Sequence, residues 1–204
     1  MINSVILSYT TFVYFLSFLL YFLRMVMGNE TLGRAATFVT LAGFAAHTFA
    51  IILRWVESYQ IGVGHAPFSN LYESLIFFAW VIVLMSLIVE RRTKNRAVGT
   101  FVTPLAFLAM SYASLTPSIN DRIEPLVPAL KSNWLIAHVI TCFVGYAAFG
   151  VAFGFSLMYL LKKLEAQERK SRFLNLIPGI SALDDLTYQM IVTGFLMLTI
   201  GIIT

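Results

Sequence analysis

Long apolar runs separated by short polar breaks fill the chain, and none shows the period-two alternation of a half-buried strand. Six runs stand out, at residues 5–23, 35–53, 71–89, 97–115, 134–161 and 186–204. Each is near or above the ~20 residues that a helix rising ~1.5 Å per residue needs to cross ~30 Å of hydrocarbon. Lys and Arg are absent from all six, and the only acidic residue among them, Glu73, lies near an end of its run. Backbone polar groups in lipid have no water to bond, so a span must be a helix or part of a closed barrel. Without strand alternation the pattern predicts an all-α fold: one polytopic transmembrane bundle of six spans, a single domain over residues 1–204.

Composition agrees. Apolar residues make up 59% of the chain, charged residues 12%, and the mean hydropathy is +0.82, more apolar surface than a soluble domain could bury. A net charge of +4 and a pI near 9.3 invite a nucleic-acid reading, but the basic residues cluster in short breaks between spans, where membrane orientation accounts for them. The lipid bilayer is the partner implied, and nucleic acid is not. The first run has no Lys or Arg before it and no small-residue cleavage site after it, so it reads as a retained span rather than a signal peptide. The one cysteine, Cys142, has no intrachain partner for a disulfide and reads as a small buried apolar side chain.

The distribution of the 14 Lys and Arg residues predicts the orientation. With the N-terminus outside, the inner loops hold eleven of them: Arg24 and Arg34, then Arg91, Arg92, Lys94 and Arg96, then Lys162, Lys163, Arg169, Lys170 and Arg172. Arg54, Arg122 and Lys131 remain outside. Positive residues concentrate on the cytoplasmic side, so both termini are expected on the outer face. All three histidines then fall toward that face: His47 within span two, His65 in the loop 55–70, and His138 about one turn into span five. No titratable chain is expected to continue inward from them.

Local signals refine the elements. The loop 55–70 is apolar and aromatic, so it is expected to fold back on the bundle or lie in the interface. Gly62 and Gly64 permit unusual backbone geometry there, and Pro67 pushes Ala66 toward extended conformations. Asn70 with Glu73 resembles a capping box opening span three, Ser132 is placed to cap span five, and Ser181 with Asp184 to cap span six. Pro104 predicts a kink or an opened hydrogen bond in span four. Span five carries a Gly-x-x-x-Gly pair, read first as helix packing and second as a dimer face.

Ionisable groups within a membrane are functional candidates. A neutral imidazole supplies a lone pair to haem iron or another metal, while its second nitrogen bonds a carbonyl or water. His138 is the leading candidate, set against a histidine that bonds a neighbouring helix. His47 is a weaker one, since it can hydrogen bond across helices without a ligand. Arg54, seven residues on, can pair a propionate or phosphate, or extend to the headgroups. His65 is either a ligand or a loop histidine capping a turn. There is no phosphate-cradling glycine loop, no Ser/His/Asp set and no His-Glu-x-x-His, so hydrolytic and nucleotide-driven functions are excluded.

Several motifs together resemble the CcsA/ResC family of cytochrome c biogenesis proteins: GHAPFSNLYES at 64–74, WLIAHV at 134–139 with GYAAF at 145–149, and GF at 194–195 with LTIGI at 198–202. The resemblance covers essentially the whole chain. It implies a System II component that works with a CcsB/ResB-type membrane partner, moves haem to the outer face and presents it to the Cys-x-x-Cys-His site of an apocytochrome c. It implies that His138 is an outer-face axial ligand to haem iron, in a bacterial cytoplasmic membrane or the equivalent thylakoid membrane. The family pattern continues into a tryptophan-rich outer loop and two further histidines, so the chain is expected to be an N-terminal portion, one component of a haem lyase. The residues alone leave two alternatives open. One is a b-type haem electron-transfer subunit with haem between His47 and His138, and the other is a non-catalytic scaffold or permease.

The orientation is testable with single cysteines at Ser69 and Thr93 in a Cys142→Ser background. An impermeant thiol reagent applied to intact cells is expected to label Ser69→Cys and to spare Thr93→Cys until the membrane is opened. Labelling of Thr93→Cys in sealed cells would reverse the topology.

Overall fold

The computed structural model of the protein describes residues 2–126, 132–165 and 174–203. Six long helices, each apolar enough to span a bilayer, make up nearly all of it. They are α1 (Ile2–Met27), α2 (Glu30–Gln60), α3 (Leu71–Thr93), α4 (Ala97–Leu115), α5 (Asn133–Glu165) and α6 (Ile180–Ile203), with a short 3-10 turn at Leu174–Leu176. The expected bundle is therefore present. Helix α4 has the bounds of its apolar run, whereas α1, α2, α3 and α5 overrun theirs; α2, at 31 residues, is about 46 Å long and carries polar ends beyond the hydrocarbon. The basic positions Lys131, Arg169, Lys170 and Arg172 lie outside the described residues.

Side-chain caps open three of the helices. The Asn29 side chain accepts from Thr31 N at 2.9 Å and opens α2, and Asn70 accepts from Glu73 N at 2.9 Å and opens α3. Ser132 Oγ accepts from Trp134 N at 3.2 Å at the start of α5, as expected. The cap expected at Ser181 is displaced: α6 begins at Ile180, directly after the Pro178–Gly179 break, and the Gly179 carbonyl already accepts from Leu183 N at 3.0 Å. Ser181 is thus inside the first turn. Helix α4 is assigned as one unbroken helix through Pro104.

Helices α1 to α4 close a ring in which each packs on its sequence neighbour and α4 returns to α1; α5 lies against α3 and α4, and α6 packs chiefly on α5. The α1–α2 seam has a seven-residue register. Asn3, Thr10, Ser17 and Arg24 are buried on α1 together with Leu7, Tyr14 and Tyr21, and they face the buried Gly33, Thr40, His47 and Arg54 on α2. A seven-residue repeat keeps one stripe of each helix facing its partner, as in a left-handed coiled coil. Here the stripe is largely polar, which in lipid is satisfied only by bonding across the seam.

The α5–α6 contact depends on small residues. A Cβ built on Gly145 would lie 3.0 Å from the Gly194 carbonyl oxygen and 2.7 Å from Leu198, and one on Gly201 would lie 2.6 Å from Cys142 Sγ. Gly150 and Gly154 of the Gly-x-x-x-Gly pair instead face side chains of α3 and α4, so that pair serves packing within the chain. Gly145→Leu is expected to lose about 1–3 kcal/mol, the usual cost of overpacking, because its first clash includes backbone. Thermal unfolding in detergent measures this, and an unchanged midpoint would show that the helices are not held at this distance.

Candidate functional site

The end of the bundle bearing His65 is organised by Arg54. Its guanidinium is almost wholly buried, with a relative exposure of 1%, and its Nε donates to Glu73 Oε1 at 2.7 Å. Nη1 donates to the Asp121 carbonyl at 2.8 Å and to Asn3 Oδ1 at 3.2 Å, and Nη2 to the Arg122 carbonyl at 3.2 Å. The ring of Tyr72 lies 5.1 Å away and adds a cation–π contact. Arg54 is thus an internal strut rather than a side chain reaching the headgroups. Glu73, read from sequence as a helix-start residue, has that role and a second one. Its Oε2 accepts from both the backbone and the hydroxyl of Ser69 at 2.7 Å, while Oε1 takes Arg54.

The loop after α2 folds back onto this strut, as its apolar composition predicts: His65, Ala66 and Pro67 are buried. Gly62 and Gly64 adopt φ of 79° and 64°, so that Val63 N and Gly64 N both donate to the Ser58 carbonyl at 2.9 Å. The His65 ring uses both nitrogens, Nδ1 lying 2.6 Å from the Ala66 carbonyl and Nε2 2.8 Å from the Glu124 carbonyl. Asn70 adds a bond to the Arg122 carbonyl at 3.1 Å. The two loops at this end are thereby tied into one platform. Between the 63–68 loop, the end of α2 and the start of α5 opens a pocket of about 400 Å³, walled by Trp55, Tyr59, His65, Phe68, Leu135 and Ile136.

His138 sits one turn into α5 and is exposed. Its Nδ1–H donates to the Gly201 carbonyl of α6 at 2.6 Å, which places the lone pair on Nε2; that nitrogen lies 3.9 Å from Cys142 Sγ. A ring oriented through one nitrogen and open at the other is the form in which histidine ligates iron or zinc. His138 is two residues, or about 200° of helix, from the pocket residue Ile136, so its ring faces α6 rather than the pocket. His47 is different: its exposure is 0%, its Nδ1 shares a hydrogen bond with Tyr14 Oη at 3.0 Å, and its Nε2 has no partner among the described residues. The structure brings His65 and Arg54 into one platform, holds His138 against α6, and encloses His47 between α1 and α2.

Titratable groups recur inward of the histidines, on rungs of the seam that are each hydrogen-bonded within themselves. Below His47 the seam continues through the Ser17–Thr40 hydroxyl pair to Tyr21, whose hydroxyl donates to Glu90 Oε2 at 2.6 Å. Thr37 bonds the other oxygen of Glu90, and Glu30 bridges Arg24 and Arg96 at 2.6 and 3.0 Å. Single hydroxyls and rings scattered through apolar runs hid this ladder from hydropathy. The seven-residue spacing of Thr40, His47 and Arg54 was the signal that could have found it.

Comparison with known proteins decides the family. A sequence profile described as Cytochrome C assembly protein matches residues 68–204, two thirds of the chain. The chain belongs to the cytochrome c assembly family. Three relatives, each named Cytochrome c biogenesis protein CcsA, show the extent of the likeness. The protein of Pyropia yezoensis is 31% identical over 226 residues, covering 92% of this chain and 69% of its own length. That of Parasynechococcus marenigrum (strain WH8102) is 38% identical over 181 residues, covering 77% and 57%, and that of Prochlorococcus marinus (strain MIT 9303) is 33% identical over 207, covering 88% and 63%. The chain thus matches 57 to 69% of the length of these CcsA proteins. The family match takes in Glu73, the pocket residues Phe68, Leu135 and Ile136, and His138.

Breaking the Arg54–Glu73 pair tests the platform. Glu73→Ala leaves a buried guanidinium uncompensated and is expected to cost about 3–5 kcal/mol, most of it recovered in the Arg54→Met, Glu73→Leu double variant. Denaturant unfolding in micelles is the measurement, and a loss below about 1 kcal/mol for the single variant would remove Arg54 from its structural role.

Proposed function

We propose that this chain is the membrane-embedded portion of a cytochrome c biogenesis protein that takes haem as its cargo and presents it at the His65 end of the bundle to an apocytochrome c. In this reading His138 supplies one axial ligand to the iron through Nε2, on the side of α5 that faces α6, and the 62–70 loop shapes the outer pocket. The partners are a CcsB/ResB-type membrane protein and the acceptor apocytochrome, and the His65 end faces the outer side of a bacterial cytoplasmic membrane or its thylakoid equivalent. The observation that carries the proposal is the His138 ring, on an exposed residue and oriented by the Gly201 carbonyl so that Nε2 holds the lone pair, inside the segment that matches the family.

Thioether formation adds a thiol S–H across a haem vinyl group, so nothing leaves and the protein's task is orientation. Holding the reactants in register can supply several kcal/mol of the barrier. The platform is suited to that task because its loops are bonded to one another and to a buried strut. Haem held between His47 and His138, as in an electron-transfer subunit, has less support: His47 is enclosed against Tyr14 with no accessible surface.

His138→Ala, made in the full-length protein with its partner, is expected to lower both haem content and cytochrome c maturation at least tenfold. Added imidazole should restore part of both by filling the vacated iron position. His47→Ala should have the smaller effect. Absorbance spectra of the purified complex and haem staining of the mature cytochrome read the outcome. Unchanged spectra and maturation in His138→Ala, with loss in His47→Ala, would transfer the ligand role to His47.

A further inference from the structure

At the opposite end of the bundle α2 and α3 part to leave a cleft of about 740 Å³. Its walls are Leu41 and Phe44 of α2 and Leu84, Leu87 and Ile88 of α3. Phe44, at the deep end, is stacked on Trp80 with ring centroids 5.2 Å apart. From Leu84 to Lys94 the cleft runs ten residues, about 15 Å, which is half the ~30 Å hydrocarbon thickness and so the depth of one leaflet.

The rim is cationic. Arg91 and Lys94 are exposed and make no ion pair or hydrogen bond among the described residues, and Arg96 stands beside them. The acidic groups here are turned away or already engaged. Glu90, 7% exposed, gives one oxygen to Tyr21 and the other to Thr37, and lies 3.6 Å from Arg96 Nε. Glu30 is bound by Arg24 and Arg96. Two uncommitted positive charges therefore cap an apolar slot one leaflet deep, at the level where lipid headgroups sit.

We infer that the α2–α3 cleft is a binding site for an acidic phospholipid, with one acyl chain along Leu41, Phe44, Leu84, Leu87 and Ile88 and the phosphate between Arg91 and Lys94. The charge pattern selects an anionic headgroup, and basic pockets between spans take such lipids in this way. The site is far from His65 and His138 and does not depend on the haem proposal.

Native mass spectrometry of the detergent-solubilised chain, titrated with phosphatidylglycerol or with phosphatidylcholine of identical acyl chains, tests it. One retained phosphatidylglycerol is expected, with phosphatidylcholine bound at least tenfold more weakly. Arg91→Gln with Lys94→Gln should weaken phosphatidylglycerol about thirtyfold, from roughly one kilocalorie per cation. Leu87→Trp, which fills the slot and leaves the charges in place, should also lower retention. Circular dichroism confirms that the variants fold, since all three positions border the cleft surface. Equal binding of the two lipids, or retention unaffected by both changes, would mean nonspecific annular lipid and overturn the site. Displacement of the lipid by one equivalent of haem, sensitive to the same charges, would overturn it in favour of a haem-binding cleft.

Discussion

The bundle depends on keeping one guanidinium out of water. Taking an arginine into a low-dielectric interior costs several kcal/mol unless its donors find acceptors, and Arg54 makes its four hydrogen bonds only by drawing on three separate stretches of chain. Asn3 comes from the first turn of α1, Glu73 from the first turn of α3, and two carbonyls from the segment that follows α4. An arginine on α2 thus sets where the neighbouring helices begin and where the second loop must lie. The pocket wall and the His65 bonds are arranged around that placement.

The same constraint accounts for the rest of the seam. In lipid a hydroxyl or imidazole between helices has only its neighbours to bond, and the polar residues of α1 and α2 meet at one level after another because both helices repeat every seven residues. Tyr14 meets His47, Ser17 meets Thr40, and Tyr21 reaches Thr37 and Glu90. Such bonds add register to a contact that apolar packing alone leaves free to slide. Among the described residues the seam leaves His47 Nε2 buried without a partner near its centre, and Arg24 Nε and Nη1 likewise at its far end.

The spans were legible because lipid imposes a length and a composition that survive in any window of about twenty residues. The Asn70–Glu73 and Ser132 caps were legible because their partners are two or three residues away. What hydropathy missed was pairing at a distance: Glu73 with Arg54, Glu90 with Tyr21, and the Glu30 bridge all join residues on different helices. His138 stood out in the sequence as a histidine about one turn into a span, yet its orienting acceptor, a backbone carbonyl 63 residues away, carries no side-chain signature at all. The seam stood between these cases, since its spacing was present in the letters but fell on residue types that an apolar count ignores.

Helix α6 rests on α5 along a single edge, with Leu183, Gly194 and Gly201 its only buried residues. Close glycine packing sets the position of this helix on α5, and it carries the carbonyl that fixes the His138 imidazole. A displacement of about 1 Å directly away from the ring takes that 2.6 Å contact past the range of a hydrogen bond. The chemistry of one ring is therefore geared to the position of a whole helix, and whatever rests against the outer flank of α6 holds a mechanical lever on which nitrogen the imidazole offers.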